Sequence, residues 1–352
     1  MSFQPDYNNL IDAALNRKPK RLPIYEHFIN PESMEKISGK KFIHLLEGNP
    51  EDIQQYFKNY CGFYKDMTYD TVSFEFCITH ILPNAGALMG ETIGPIQNRK
   101  DFESYPWDDL ARIYWQKADS HFAALKAQMP EGMKAVGGVG NGIFEVSEDL
   151  VGFEQLCYMQ IDDPQLFSDL YTKIGDLFVE IWSEFLKRYG DVYAICRMGD
   201  DLGFKTGTLL SPNTVKAQVV PQYARVIKLV KDAGKIFLLH SCGNIFSVMD
   251  EIIEAGINAK HSNEDAIANF EKWIELYGDK IAIFGGIDVD RICQMPTDQL
   301  FKYIVEKGTK YANMTNGYAL GSGNSIPEYV PAEGYLTMIK AANKIRENLA
   351  IA

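Results

Sequence analysis

The segment LLHSCGN carries a histidine and a cysteine two residues apart, His240 and Cys242. In extended backbone, side chains two apart project to the same side. A neutral imidazole and a thiolate on one side make half of a zinc site, because zinc takes both donors in a tetrahedral set. The plainer alternative is that both are buried packing groups, or that the imidazole partners a backbone carbonyl. A metal needs further ligands, and Glu264, from the next extended stretch NAKHSNED, is the acidic candidate. His261 precedes Glu264 by three, an odd offset that is expected to turn it the other way. Cys61, Cys77, Cys157, Cys196 and Cys293 read as small structural residues.

Such donors act together only if the fold brings several segment ends to one place. Short β-rich segments alternate with amphipathic helical ones through most of the chain. Eight strands are expected, beginning at Pro23, Thr71, Lys134, Val192, Lys235, Asn258, Ile281 and Gly317, after a polar N-terminal helix at Tyr7 to Arg17. Strands separated by helices pair in parallel, and eight such units favour an α/β fold of the (β/α)8 TIM-barrel type. Residues 1–352 are expected to form one barrel domain, with 1–20 as an N-terminal helical extension. A Rossmann-type sheet has little support, since GVGNG matches the dinucleotide fingerprint loosely and lacks the following acidic residue.

A barrel displays its chemistry at the C-terminal strand ends. Those ends carry Glu26, His27, Glu75, Asn141, Asp200, Asp201, His240, Cys242, Asn263, Glu264, Asp288, Ser322, Asn324 and Ser325. Any one of them is explained equally well by a strand turning polar as it meets solvent. The set, with His and Cys on one strand, reads as a ring of site residues.

Composition narrows the partners. The chain has 352 residues, 46% of them hydrophobic, and 47 acidic against 35 basic side chains give a net charge of −12. With no Lys/Arg-rich block, nucleic acid and anionic membrane are not expected as partners. No apolar run approaches a membrane span, and the N-terminus lacks a secretory core. Six scattered cysteines fit reduced thiols in a cytoplasmic protein.

In order and strand context, GDDLGFKTGTLLSP, VVPQYARVIKLVKDAG, LLHSCGNI, GDKIAIFGGIDVD and YALGSGNSIPEYVP resemble the uroporphyrinogen decarboxylase superfamily over nearly the whole chain. That superfamily includes the corrinoid- and coenzyme M-linked methyltransferases. The resemblance implies the barrel fold and separates two branches. The porphyrinogen decarboxylases resemble one another in an Arg-rich N-terminal segment, which RLPIYEHFINPESM lacks, and a substrate with eight carboxylates needs several guanidinium groups.

The methyltransferase branch resembles this chain in its His-x-Cys-Gly. The resemblance carries zinc ligation to His240 and Cys242, with Glu264 as the acidic group near the metal. The branch's further cysteine, after the last strand, is replaced here by LGSGNSIP, with Asn324 or Ser322 at the matching place. A site with one thiolate fewer is harder and more Lewis acidic, suited to polarising an ether-like leaving heteroatom.

The implied activity is transfer of a methyl group between a small molecule and a corrinoid carried by a partner protein, with zinc as cofactor. Glu75, Asp200 and Asp201 are the expected catalytic groups that orient substrate or manage its proton. His27, Asn141, Asp288 and Asn324 are expected around the substrate, Asp288 also supporting His240. A metal-free decarboxylase-like lyase and a non-catalytic barrel binding a ligand or a corrinoid protein are the alternatives. A homo-oligomer is compatible with either branch.

Overall fold

The computed structural model describes residues 3–90 and 92–351. Seven strands form one parallel sheet in strict sequence order: β1 (Thr71–Cys77), β2 (Lys134–Gly140), β3 (Tyr193–Gly199), β4 (Ile236–His240), β5 (Ala259–His261), β6 (Ala282–Ile287) and β7 (Tyr318–Ser322). These begin within a residue of seven of the expected starts. The eighth expectation is corrected: the segment at Pro23 is not a strand. It makes only isolated bridges, Ile24 to Leu320 on β7 and then Ile29 to Ile326. Tyr25 N–H donates to the Leu320 carbonyl at 2.9 Å and Leu320 N–H to the Pro23 carbonyl at 3.0 Å.

Two features explain the short pairing. Pro23 has no N–H to extend a ladder. Toward β1, side chains replace backbone bonds: the Ser73 hydroxyl donates to the Glu26 carbonyl, and Arg197 Nη1 donates to the His27 carbonyl at 3.0 Å. The approach to β7 is close enough that a Cβ at Gly321 would lie 1.8 Å from the Tyr25 oxygen.

Helices return the chain between strands, as parallel pairing demands. The helix Pro164–Tyr189 starts where Asp163 accepts from Leu166 N–H with proline in the first turn, and it buries Leu170, Ile174, Phe178, Ile181 and Phe185. Before Pro221 the chain makes a π-helical turn, Val215–Val219, which leads into the helix Val220–Asp232. A proline there cannot donate to the preceding turn, and a wider turn accommodates the loss.

The N-terminal helix spans Asn8–Ala14, shorter than expected. Its Leu10, Ala13 and Ala14 are buried with Val136, Ile195, Leu238 and Phe284 of the strands. Helix Asn8–Ala14 therefore covers apolar strand residues and leaves the other end of the strands for polar groups. No helix among the described residues is long and apolar enough to cross a membrane.

Candidate active site

At the C-terminal strand ends lies a cleft of about 270 Å³ lined by His27, Glu75, Asn141, Glu145, Gly199, Asp201, His240, Asn324 and Ser325. His240 closes β4, and its register partner across the parallel ladder is His261, which closes β5. In-register neighbours on parallel strands point the same way. The expectation that His261 faces away is therefore corrected: its Nδ1 lies 2.8 Å from His240 Nδ1. His27 stacks on His240, with ring centroids 3.7 Å apart and planes at 17°. Burial holds His27 and His240 well below the ordinary histidine value, helped by the Arg197 charge and by neighbouring imidazoles. All three rings are thereby kept neutral.

The remaining nitrogen of His240, Nε2, faces two donors. Cys242 Sγ lies at 3.5 Å and Asp201 Oδ1 at 3.7 Å. Zinc bonds of ~2.0–2.3 Å at tetrahedral angles place ligand atoms about 3.3–3.8 Å apart. Both distances from His240 Nε2 fall in that range, and Asp201 is fixed by accepting from the Cys242 N–H at 2.8 Å. A second cluster, His27, His240 and His261, fits less well. Its two Nδ1 atoms are separated by a hydrogen-bond length rather than by the longer edge of a coordination shell.

The thiol of Cys242 is half-buried, and burial followed by the Asp201 charge pushes its pKa well up. Without a cation it stays protonated, so this cysteine suits metal ligation better than free nucleophilic chemistry. Ser262 Oγ and Asn324 Nδ2 each lie 3.4 Å from Sγ. Of the two candidates for the position opposite the thiol, Asn324 is the one present. Ser322 is buried away from the cleft, its hydroxyl and N–H donating to Glu26 at 2.5 and 2.8 Å.

Glu264, expected as a ligand, belongs to neither donor cluster among the described residues. β5 ends at His261, so the chain has left the strand before Glu264 and side-chain alternation no longer applies. Asp201 occupies the acidic corner instead. Asp288 also departs from expectation: its carboxylate accepts from Asp290 N–H at 2.8 Å and Asp265 N–H at 2.7 Å. It caps the helix Val289–Gln294 and has no hydrogen bond to His240.

The adjacent aspartates separate in role. Asp200 is fully buried and accepts from Phe144 N–H at 2.9 Å, Glu145 N–H at 2.8 Å and the Tyr223 hydroxyl at 2.5 Å. It anchors the N-terminus of the helix Ile143–Val151, where the macrodipole favours a carboxylate. Successive residues leave a strand in opposite directions, so Asp201 is the one that reaches the cleft.

Glu75 and Asn141 line the cleft in fixed orientations. Glu75 Oε2 accepts from Arg197 Nε at 3.1 Å and Nη2 at 2.8 Å, and the guanidinium is otherwise held by Tyr25, Ser73 and the His27 carbonyl. Asn141 accepts from the Thr79 N–H and hydroxyl and donates to Glu145 Oε2 at 2.9 Å. Sequence reasoning passed over Glu145. Burial, with Asp200 and Asp201 nearby, pushes its carboxyl well above the ordinary range, which favours the protonated form. The visible signal was its place in the first turn of the helix after Asn141. Arg197 was also missed, since a charged residue mid-strand reads as solvent-facing until the barrel interior is known.

The family model described as uroporphyrinogen decarboxylase (URO-D) matches residues 6–345. The chain belongs to the uroporphyrinogen decarboxylase family. Among solved structures, a methyltransferase from Methanosarcina mazei superposes with a TM-score of 0.75 at 17% identity, covering 96% of this chain and 97% of that one. That is a shared fold. A glycoside hydrolase family 5 enzyme from Prevotella bryantii gives a TM-score of 0.42 at 8% identity, covering 81% of this chain and 86% of that one. Among curated proteins none matches. This member of the family holds its polar cleft where the strands end, with imidazole, thiol and carboxylate converging on one point.

Proposed function

We propose that the protein is a zinc-assisted methyltransferase that moves a methyl group between a small molecule and a corrinoid carried by a partner protein. The observation carrying this reading is the convergence of His240 Nε2, Cys242 Sγ and Asp201 Oδ1 at coordination spacing. Family membership and the shared fold with a methyltransferase support it.

The donor set gives one sulfur, one nitrogen and one oxygen, with Asn324 beside the thiol. Turning that amide over presents an oxygen as a further hard donor. Zinc held there supplies Lewis acidity toward a substrate heteroatom. When a methyl group leaves, the carbon–heteroatom bond breaks and its electron pair stays on the heteroatom. Glu145, holding a proton at the cleft wall, is placed to deliver it to that atom. Arg197 clamps Glu75, keeping one carboxylate oriented while its other oxygen faces His27 Nε2 at 3.9 Å.

Charge argues against the decarboxylase alternative. The cleft is lined by the carboxylates of Glu75 and Asp201 and, among the described residues, by no Lys or Arg. A polycarboxylated tetrapyrrole would meet repulsion there, whereas a neutral or cationic methylated compound would not. Met89, Ile93, Ile161, Phe204 and Tyr329 are all 60% exposed or more, on segments that follow strands at this end. Apolar side chains left in water around a cleft suit a docking protein.

The test is metal analysis of the purified protein joined to a transfer assay with free cob(I)alamin as surrogate acceptor. One zinc per chain is expected in the wild type, lost in His240→Ala and Cys242→Ala, weakened at least tenfold in Asp201→Asn and unchanged in Glu264→Gln. A protein that binds no zinc and yet decarboxylates a porphyrinogen would overturn the proposal.

A further inference from the structure

Three imidazoles meet at the floor of the cleft, two lining it and His261 buried beneath, but the proposed function uses one nitrogen of one ring. His261 is fully buried, ends β5 and makes two hydrogen bonds. Its Nε2 lies 3.0 Å from the Ser322 carbonyl oxygen, and its Nδ1 lies 2.8 Å from His240 Nδ1. A carbonyl oxygen only accepts, so His261 Nε2 must carry hydrogen. In a neutral ring the other nitrogen then has a lone pair and must accept. The donor to it can only be His240 Nδ1–H. A neutral His240 with hydrogen on Nδ1 has its lone pair on Nε2, the atom that faces Cys242 Sγ and Asp201.

The surroundings hold this chain in one sense. Among the described residues no carboxylate is hydrogen-bonded to the His261 ring, and the ring is fully buried, with no charge partner to favour a second proton. Tyr25 packs edge-on against the ring at 5.2 Å between centroids. Gly285 leaves it room: a Cβ there would sit 3.1 Å from His261 Cδ2 and 2.9 Å from the Ser322 oxygen.

We propose that His261 is a positioning residue which, anchored on the Ser322 carbonyl, fixes His240 as the Nδ1–H tautomer and so aims the Nε2 lone pair at the metal position. The value of this device is greatest before the metal arrives. A ligand already in the right tautomer and orientation needs no rearrangement on binding, and partners that orient a ligating histidine are typically worth about 10–100-fold in metal affinity. His261 itself never reaches the cation. The inference deepens the proposed function and rests on it for the metal, but the tautomer belongs to the metal-free protein.

The experiment is therefore done first on chelator-treated protein labelled with 15N in its histidines, using His240→Asn to assign the signals. Long-range 1H–15N correlation at pH 7.5 should show His240 with a protonated Nδ1 and an unprotonated Nε2. The converse tautomer, or rapid averaging of the two, would overturn the proposal. Zinc affinity by chelator competition then compares two variants. His261→Gln can donate its amide N–H to Ser322 and accept from His240, and it should stay within a few-fold of wild type. His261→Leu offers no acceptor and should bind zinc 10–100-fold more weakly with the His240 tautomer averaged. Equal zinc affinity in the Leu variant and wild type would also overturn it. If the tautomer is as stated but the wild type binds no zinc, the metal reading fails and the imidazole relay stands. Should the Leu variant not fold, the wild-type tautomer and the Gln variant decide.

Discussion

Glu26 illustrates how burial sets the state of a single side chain in this protein. Its carboxyl is surrounded by Ser322 and apolar neighbours, and desolvation raises its pKa from 4.5 to about 8 despite two hydrogen bonds. Between those two values the folded state holds a proton that the unfolded state has released. The stability this contributes is complete below pH 4.5 and is lost as pH rises through about 8. Glu26→Gln keeps a donor and an acceptor for Ser322 but cannot ionise. Urea denaturation of both proteins at pH 5 and pH 9 should show the variant gaining roughly 1–3 kcal/mol on the wild type at the higher pH. His261 has the opposite sign, its pKa lowered to about 3 by burial, so its contribution is present above about pH 6.5 and falls away in acid.

Among the secondary-structure elements, the turn after β3 separates structure from chemistry by a single residue. Asp200 anchors the helix Ile143–Val151 through two backbone N–H groups and holds the Tyr223 hydroxyl. Asp200→Ala strands all three donors in a buried place and should cost about 2–4 kcal/mol in thermal or chemical denaturation. Zinc stoichiometry in the folded protein should remain as in wild type. Asp201→Ala should do the reverse, changing stability by less than about 1 kcal/mol while zinc affinity collapses. A similar tightness governs β2, where Gly137 has φ +137° and a Cβ would lie 2.0 Å from the Phe74 oxygen. Gly137→Ala should break the β1–β2 ladder and leave little soluble protein, measured as yield against wild type.

For the molecule as a whole, the two ends of the sheet have different tasks. The helix Asn8–Ala14 packs Leu10, fully buried, under the strands at one end. Leu10→Ala should lower stability by about 2–5 kcal/mol without altering zinc affinity, because the lost packing lies at the opposite end from the cleft. At the other end, Ile93 and Phe204 are exposed apolar side chains on segments that follow β1 and β3, and in the proposed function they are offered to the docking protein.

Local pattern carried much of the architecture. The alternation of strand and helix is written in hydrophobic period and in turn residues, which act over a few positions, and seven strand starts were legible to within a residue. His240 and Cys242 were legible as a facing pair because period two is a property of extended backbone alone. What sequence could not carry was registration between segments. Whether His261 faces His240 depends on how β5 slides along β4, and whether Asp201 or Glu264 completes the donor set depends on where each chain leaves its strand. The segment after Pro23 is short and β-rich in sequence, yet its pairing depends on neighbours some 50 to 300 residues away in the chain. Only the packed sheet sets those distances, since a hydrogen bond or a coordination edge is decided by tenths of an ångström between residues that are neighbours in space and strangers in sequence.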